Sequence, residues 1–119
     1  MGSSGLHAVV SISRLSAMTG VTPRALRHYE EVGLIQPHRA AHGVRLFTPD
    51  QCERASLIAL LRRCDVALED IRDVLEPSPQ RTARLRDVLQ RKADELSDKL
   101  AGVNAVLDQS FPAPRRDAA

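Results

Sequence analysis

The residues best suited to specific chemistry in this sequence are its arginines, which number 15 among 119 residues. A guanidinium group presents paired N–H donors that match phosphate oxygens and the edge of guanine. Arg24 and Arg27 stand three residues apart, so a helix would place both on one face. The pattern indicates binding to a polyanion, and GC-rich codon usage is the alternative explanation for the excess of arginine over lysine.

Charge is unevenly distributed along the chain. Residues 1–49 contain five arginines, two acidic residues and all four histidines, whereas residues 50–76 contain four arginines and seven acidic residues. The formal net charge of +2 therefore conceals a basic first third followed by an acidic segment. We expect a polyanion to meet the first third.

Cysteine and histidine are the other residues that could react or bind metal. Cys52 and Cys64 could serve as a nucleophile, a redox switch or soft-metal ligands, but both fall at apolar positions of a predicted helix, which favours core packing. His7 and His38 lack metal-ligand spacing and are expected at the surface. The sequence contains no phosphate-binding loop and no nucleophile with a base and an orienting group. It therefore predicts no enzyme, no catalytic residue, no metal site and no cofactor.

Residues 11–76 are predicted to form short helices and a ribbon. Thr22-Pro23 and Thr48-Pro49 are helix-start signals, with a capping threonine followed by proline at the first helical position. Short alternation over residues 34–47 predicts a two-stranded wing with its tip at 40–43. The short connection before Thr22-Pro23 contains glycine, which is typical of a helix-turn-helix. The predicted helices run over 12–20, over 23–32, from Thr48 to Cys64, and through a fourth segment carrying Leu68, Ile71, Val74 and Leu75, with Met18 and Leu60 among the apolar residues of the first and third.

The last third predicts one long helix, over residues 80–108. Its apolar residues are spaced 4, 3, 4, 3 and 4 apart, which is the seam of a coiled coil. A long helix that protrudes from a small domain needs a partner for its apolar stripe, and a second copy of the chain is the simplest one. The predicted dimerisation residues are Leu89, Ala93, Leu96, Leu100, Val103 and Leu107.

Composition predicts the state of the two chain termini and the cellular compartment. Residues 1–10 are expected to be disordered or a remnant of expression, and residues 109–119, rich in proline, alanine and charge, are expected to form a flexible tail. The longest apolar run, residues 57–61, is too short to cross a bilayer, and the start lacks the features of a secretory signal. We expect a cytoplasmic protein with no membrane partner.

Three segments occur in order as a spaced set of motifs. They are Ile12-Ser13-Arg14-Leu15, the run from Gly20 to Ile35 with its core Leu26-Arg27-His28-Tyr29-Glu30, and the run from Gly43 to Asp50. Together they resemble the winged helix-turn-helix of the MerR family of bacterial transcription regulators, over about residues 12–76. The predicted long helix is similar to the antiparallel dimerisation coil of that family.

The resemblance implies a mainly α fold, with a winged helix-turn-helix of four helices and a two-stranded wing followed by the coil. It also implies a homodimer that binds double-stranded promoter DNA at a pseudo-palindromic operator. Family members place recognition helices in successive major grooves and hold the flanking backbone with their wings. They bend and untwist an over-long promoter spacer so that RNA polymerase engages both promoter elements, and some act mainly as repressors.

The resemblance assigns particular residues to DNA. Arg24 and Arg27 are candidates for base contacts, with a solvated basic face as the alternative. Tyr29 matches a tyrosine that contacts the DNA backbone, with a core tyrosine as the alternative. Arg39 and Arg45 match wing arginines that clamp phosphates. The full predicted set is Arg14, Thr22, Arg24, Arg27, His28, Tyr29, Arg39, His42 and Arg45.

Several positions depart from the family pattern. His28 stands where members often have an aromatic residue, and Val44 replaces a wing tyrosine, for which His42 is a weak substitute. Asp65 stands where members usually have glycine, so a differently built turn is expected before the fourth helix. Further candidates, for outer phosphates or for a solvated helix face, are Arg62 and Arg63.

The controlling signal and two other functions stay open. Either the effector is a small molecule at the dimer coil, or a partner protein supplies the signal, or this chain is part of a longer protein. The cysteines of metal-sensing members are missing near the long helix. An architectural or recombination accessory factor, similar to phage excisionases, is an alternative that generally lacks the long helix. A protein-interaction adaptor that works through its coiled coil is the other.

Overall fold

Helices dominate the part of the chain that the structure describes, residues 9–111 of a computed structural model. This confirms the mainly α winged-helix fold predicted from the sequence. The helices are α1 (Ile12–Thr19), α2 (Pro23–Glu31), α3 (Pro49–Arg63), α4 (Leu68–Leu75) and α5 (Arg81–Ser110). The strands are β1 (Val10–Ser11), β2 (His38–Arg39) and β3 (Arg45–Phe47), with a 3₁₀ turn, Ala41–Gly43, between β2 and β3.

Local capping sets the ends of the first helices. The Thr22 hydroxyl accepts a hydrogen bond from the Ala25 backbone N–H at 3.1 Å, and Pro23 occupies the first turn of α2. Gly20 ends α1 with φ 75°, in the left-handed region that glycine adopts readily. The connection between α1 and α2 is therefore short enough for α2 to be held across α1 as the second helix of a helix-turn-helix.

The wing belongs to a three-stranded sheet, and the prediction of a two-stranded ribbon was incomplete. β3 lies between β1 and β2 and pairs antiparallel with both, so that Val10 lies opposite Phe47 and His38 lies opposite Leu46. β1 has only two residues, which is too few to show an alternating pattern. The expectation for residues 1–10 is thus wrong at Val10, and residues 1–8 lie outside the described part.

One apolar core joins the first four helices to the sheet. Its fully buried side chains include Leu15, Leu26, Phe47, Ile58 and Ile71. Phe47 is the largest of the core side chains that are fully buried, and it comes from β3. The wing is therefore anchored in the same core that supports α2.

Two residues assigned to apolar faces are exposed. Met18 on α1 and Leu60 on α3 have exposed fractions of 54% and 53%. Thr19 is buried beside Met18 because its hydroxyl donates to the Leu15 carbonyl oxygen at 2.9 Å. A local hydrogen bond thus allows a polar residue to take the buried position.

The turn between α3 and α4 uses a left-handed residue. Asp65 has φ 67°, and aspartate is among the few residues other than glycine that tolerate this region. Asp65 therefore adopts a conformation that glycine also favours, and the expectation of a differently built turn stays a prediction.

The long helix α5 projects from this domain. Its 30 residues span about 45 Å, and the whole molecule measures 73 × 34 × 31 Å. Only the first turns pack on the core, through Leu85 and Val88. None of the helices within residues 9–111 is long and apolar enough to cross a membrane. The helix extends to Ser110, past the predicted end, and residues 112–119 of the predicted tail lie outside the described part.

Candidate nucleic-acid interface

The outer face of α2 carries two exposed arginines. Arg24 and Arg27 are exposed and, with His28 and Glu31, line one shallow depression. Within residues 9–111, neither arginine side chain takes part in a hydrogen bond or ion pair. His28 Nδ1 is 3.9 Å from a Glu31 carboxylate oxygen, which is too long for a hydrogen bond. The arrangement leaves two guanidinium groups free to contact an anion or a base edge.

Tyr29, on the same helix, faces inward. Its exposed fraction is 7% and its ring belongs to the hydrophobic core. The ring of Tyr29 therefore packs in the core, which was the alternative to a DNA contact. Any contact with the DNA backbone is limited to the small exposed part of the residue.

The two wing arginines converge on one carboxylate of α2. Arg45 Nε donates to Glu30 Oε1 at 2.7 Å, and Arg39 Nη2 donates to Glu30 Oε2 at 2.8 Å. Arg39 Nη1 also donates to the Gly43 carbonyl oxygen at 3.3 Å, within the wing. The sequence assigns both guanidiniums to phosphates. In the structure, both already bind an anionic partner.

The electrostatics of this cluster are those of a stable ion pair. The hydrogen bond from Arg45 lowers the pKa of the Glu30 carboxyl below its usual value, burial opposes this lowering, and the hydrogen bond from Arg39 lowers the pKa further. The carboxylate is therefore charged at neutral pH. Two arginines and one glutamate leave the cluster, which we call the wing clasp (Glu30, Arg39 and Arg45), with one net positive charge.

The other predicted contact residues lie around these two groups. The Thr22 hydroxyl oxygen accepts the capping hydrogen bond of α2, which leaves its hydrogen free to donate. Arg14 is exposed on α1. His42 is exposed at the wing tip with φ 63°, a left-handed conformation that is uncommon for histidine. These three positions stay predictions for DNA contact.

Several arginines hold backbone carbonyls of the fold. Arg62 Nη1 donates to the Val66 carbonyl oxygen at 2.8 Å, so this candidate for an outer phosphate is engaged in the turn after α3. Arg54 and Arg72 donate to two carbonyls of residues 32–34, just after α2. Sequence reasoning missed the last two, because nothing in the local pattern links residues that are 20 and 40 positions apart.

Comparisons with known proteins identify the family of this chain. Residues 10–77 match the family described as MerR HTH family regulatory protein. The chain belongs to the MerR family of transcription regulators. The curated transcriptional regulator BrlR of Pseudomonas aeruginosa is 35% identical over 105 residues, which cover 83% of this chain and 38% of BrlR. The HTH-type transcriptional regulator CueR of Vibrio cholerae is 34% identical over 104 residues, which cover 84% of this chain and 75% of CueR.

Solved MerR structures share the fold. A putative MerR family transcriptional regulator from Listeria monocytogenes matches with a TM-score of 0.64 at 28% identity, covering 84% of this chain and 79% of that one. HiNmlR, a MerR family regulator lacking the sensor domain, was solved bound to promoter DNA. It matches with a TM-score of 0.64 at 21% identity and the same coverages, a likeness of fold.

The two cysteines of this MerR chain pack in or against the core. Cys52 is buried with its Sγ 3.8 Å from the Phe47 carbonyl oxygen, and burial raises the pKa of its thiol. Cys64 is half-buried against the same core. A raised pKa disfavours the reactive thiolate. The structure thus agrees with the core-packing interpretation of both residues.

Proposed function

We propose that the chain is a sequence-specific DNA-binding regulator that acts as a homodimer on a pseudo-palindromic promoter operator. The observation that carries this proposal is the exposed, unpaired pair Arg24 and Arg27 in the first half of α2. In helix-turn-helix proteins the early residues of the second helix enter the major groove and contact base edges. The curated relatives BrlR and CueR are named as transcriptional regulators, and HiNmlR was solved on promoter DNA.

The wing supports a second set of contacts, to the DNA backbone. The wing clasp keeps one net positive charge, and Arg39 has half of its side chain exposed. Because Arg45 binds Glu30 through Nε, its Nη donors stay available for a phosphate. We assign the wing to flanking phosphates, which position the protein without reading sequence.

The homodimer rests on α5. Six large apolar side chains along its distal length, all between 38% and 61% exposed, lie on or beside the predicted seam. A stripe of this kind is unfavourable in water and is covered when two copies pair as a coiled coil. These side chains are Leu89, Leu96, Leu100, Val103, Val106 and Leu107.

A homodimer of this kind predicts the symmetry of the operator and the effect on the promoter. Two copies of α2 related by a two-fold axis require two inverted half-sites. Bending and untwisting of the promoter spacer, followed by engagement of RNA polymerase, are part of the proposal. An unidentified small molecule or partner protein supplies the signal, and action on promoters implies a cytoplasmic protein.

In vitro selection tests the DNA-binding half of the proposal. A library of duplexes with a random core is bound to the chain, recovered and sequenced over several rounds. The proposal predicts enrichment of an inverted repeat whose half-sites are spaced by about one helical turn, 10–10.5 base pairs, or a multiple of it. Recovery of sequences with no shared motif would contradict it.

Sedimentation tests the dimer. Leu100→Glu places a charge in the seam, whereas the matched control Ala105→Glu places the same charge on the opposite face of α5. We expect a dimer for the control and a folded monomer for Leu100→Glu, with weaker binding to the selected duplex. Equal dimerisation of both variants would contradict the assignment of the seam.

A further inference from the structure

The wing clasp connects three elements through a single carboxylate. Glu30 lies near the end of α2, Arg39 in β2 and Arg45 in β3, and each oxygen of Glu30 accepts from a different arginine. The side chain of Glu30 is 20% exposed, against 50% for Arg39 and 27% for Arg45. Glu30 is therefore the most enclosed of the three side chains.

We propose that Glu30 is a specificity-determining residue, which fixes the wing on the recognition helix and at the same time reduces the positive charge that the wing offers to DNA. This inference rests on the proposed function. It states that Glu30 weakens binding to arbitrary DNA while it supports binding to the operator, so that its net effect is to widen the difference between the two.

The charge argument concerns arbitrary DNA. Binding without sequence preference depends on the number of phosphates that cationic side chains neutralise. Glu30 cancels one of the two wing charges and holds a carboxylate close to the position where a phosphate would approach. Removal of that charge therefore strengthens binding to any duplex and steepens its salt dependence.

The positioning argument concerns the operator. Base contacts by α2 and phosphate contacts by the wing form together only if the wing is held at a fixed place relative to α2. A carboxylate accepts from both arginines, whereas a glutamine amide has one oxygen that accepts and one NH₂ that only donates. Glutamine at position 30 therefore satisfies one arginine and faces the other with a donor, which releases one side of the wing.

The chain contains a matched control outside the residues assigned to DNA. Glu69 is exposed in the first turn of α4, and among the described residues it has no arginine partner. Glu69→Gln makes the same charge change as Glu30→Gln and leaves the wing clasp intact. Glu30→Asp keeps the charge but shortens the side chain, so it separates charge from position.

The test measures binding of the full chain to the selected duplex and to a scrambled duplex by fluorescence anisotropy over a range of salt. Glu30→Gln is expected to bind the scrambled duplex about threefold to tenfold more tightly, with a salt slope steeper by up to about one. Its ratio of specific to scrambled affinity is expected to fall by about tenfold. Glu69→Gln is expected to keep the wild-type ratio, and Glu30→Asp to lower the ratio without tighter binding to the scrambled duplex.

Two results would overturn the inference. One is a Glu30→Gln variant that keeps the wild-type ratio, and the other is a loss of ratio that Glu69→Gln reproduces. Thermal unfolding of each variant shows whether it is folded, and Glu30→Asp carries the positioning test if Glu30→Gln is not. Failure of the wild-type chain to prefer the selected duplex over the scrambled one would instead overturn the proposed function.

Discussion

Two pairs of arginines are assigned to DNA, and they differ in their contacts within the protein. Arg24 and Arg27 on α2 have no partner within residues 9–111, whereas Arg39 and Arg45 in the wing share the carboxylate of Glu30. The first pair is free to adapt to a base edge. The second pair is held in a preset position with half of its charge neutralised. This difference supports the proposal that α2 reads the DNA sequence and that the wing positions the protein on the DNA.

The largest expected effect comes from the α2 pair. Arg24→Ala combined with Arg27→Ala removes two base contacts, each of which is worth about 1–3 kcal/mol. We expect the affinity for the selected duplex to fall by about 30-fold or more, while the temperature of unfolding stays unchanged because both side chains are exposed. Fluorescence anisotropy and thermal unfolding measure the two quantities.

Arg63→Ala is the matched control for this double variant. Arg63 is also exposed, lies on α3 and has no partner among the described residues. We expect a change in affinity of a few-fold at most. An equal loss from Arg63→Ala would show that the α2 pair contributes only general charge.

A smaller effect distinguishes arginines that contact phosphate from arginines that hold the fold. Arg39→Ala is expected to weaken binding to specific and scrambled duplexes and to reduce the salt slope by about one, with a larger loss for the specific duplex because one side of the wing clasp is also released. Arg62→Ala removes the hydrogen bond to the Val66 carbonyl, so we expect unchanged DNA binding and a loss of about 1–2 kcal/mol in the free energy of unfolding. A lower salt slope for Arg62→Ala would contradict this expectation and would indicate that Arg62 contacts a phosphate.

The smallest effect is the pH dependence of stability that the wing clasp adds. The pKa of Glu30 is lowered in the folded chain, chiefly by Arg45. The clasp therefore stabilises the fold fully above the unfolded pKa of glutamate, about 4.3, and this contribution disappears as the pH falls through the lower folded value. Denaturant unfolding between pH 6 and pH 3 should show a steeper loss of stability for wild type than for Glu30→Gln. Parallel curves would contradict it.

Local signals account for what the sequence could predict. Thr22-Pro23 and Thr48-Pro49 place the starts of α2 and α3 correctly because capping depends on residues three positions apart. β1 was missed because a two-residue strand is defined by its partner, which is 37 positions away at Phe47. The exposure of Leu60 was also not predictable, since the apolar pattern of α3 does not show which side of the helix packs on the core.

The interface was predictable as a set of charges but not as a set of partners. The sequence indicates five arginines for DNA, yet the contacts of Arg39 and Arg45 with Glu30 join positions 9 and 15 apart through the folded wing. Tyr29 shows the same limit, because its inward orientation depends on the core around α2. Type and spacing therefore identify the candidates, and the fold decides which of them are free.

The central claim, that Arg24 and Arg27 read the operator, is tested most directly by a base-pair scan. Each base pair of one selected half-site is replaced in turn, and affinities are measured for wild type and for the Arg24→Ala, Arg27→Ala double variant. We predict penalties of about 1–3 kcal/mol at a few positions for wild type and no penalty at those positions for the double variant. The same penalties in both proteins would show that other residues read the sequence and would contradict the claim.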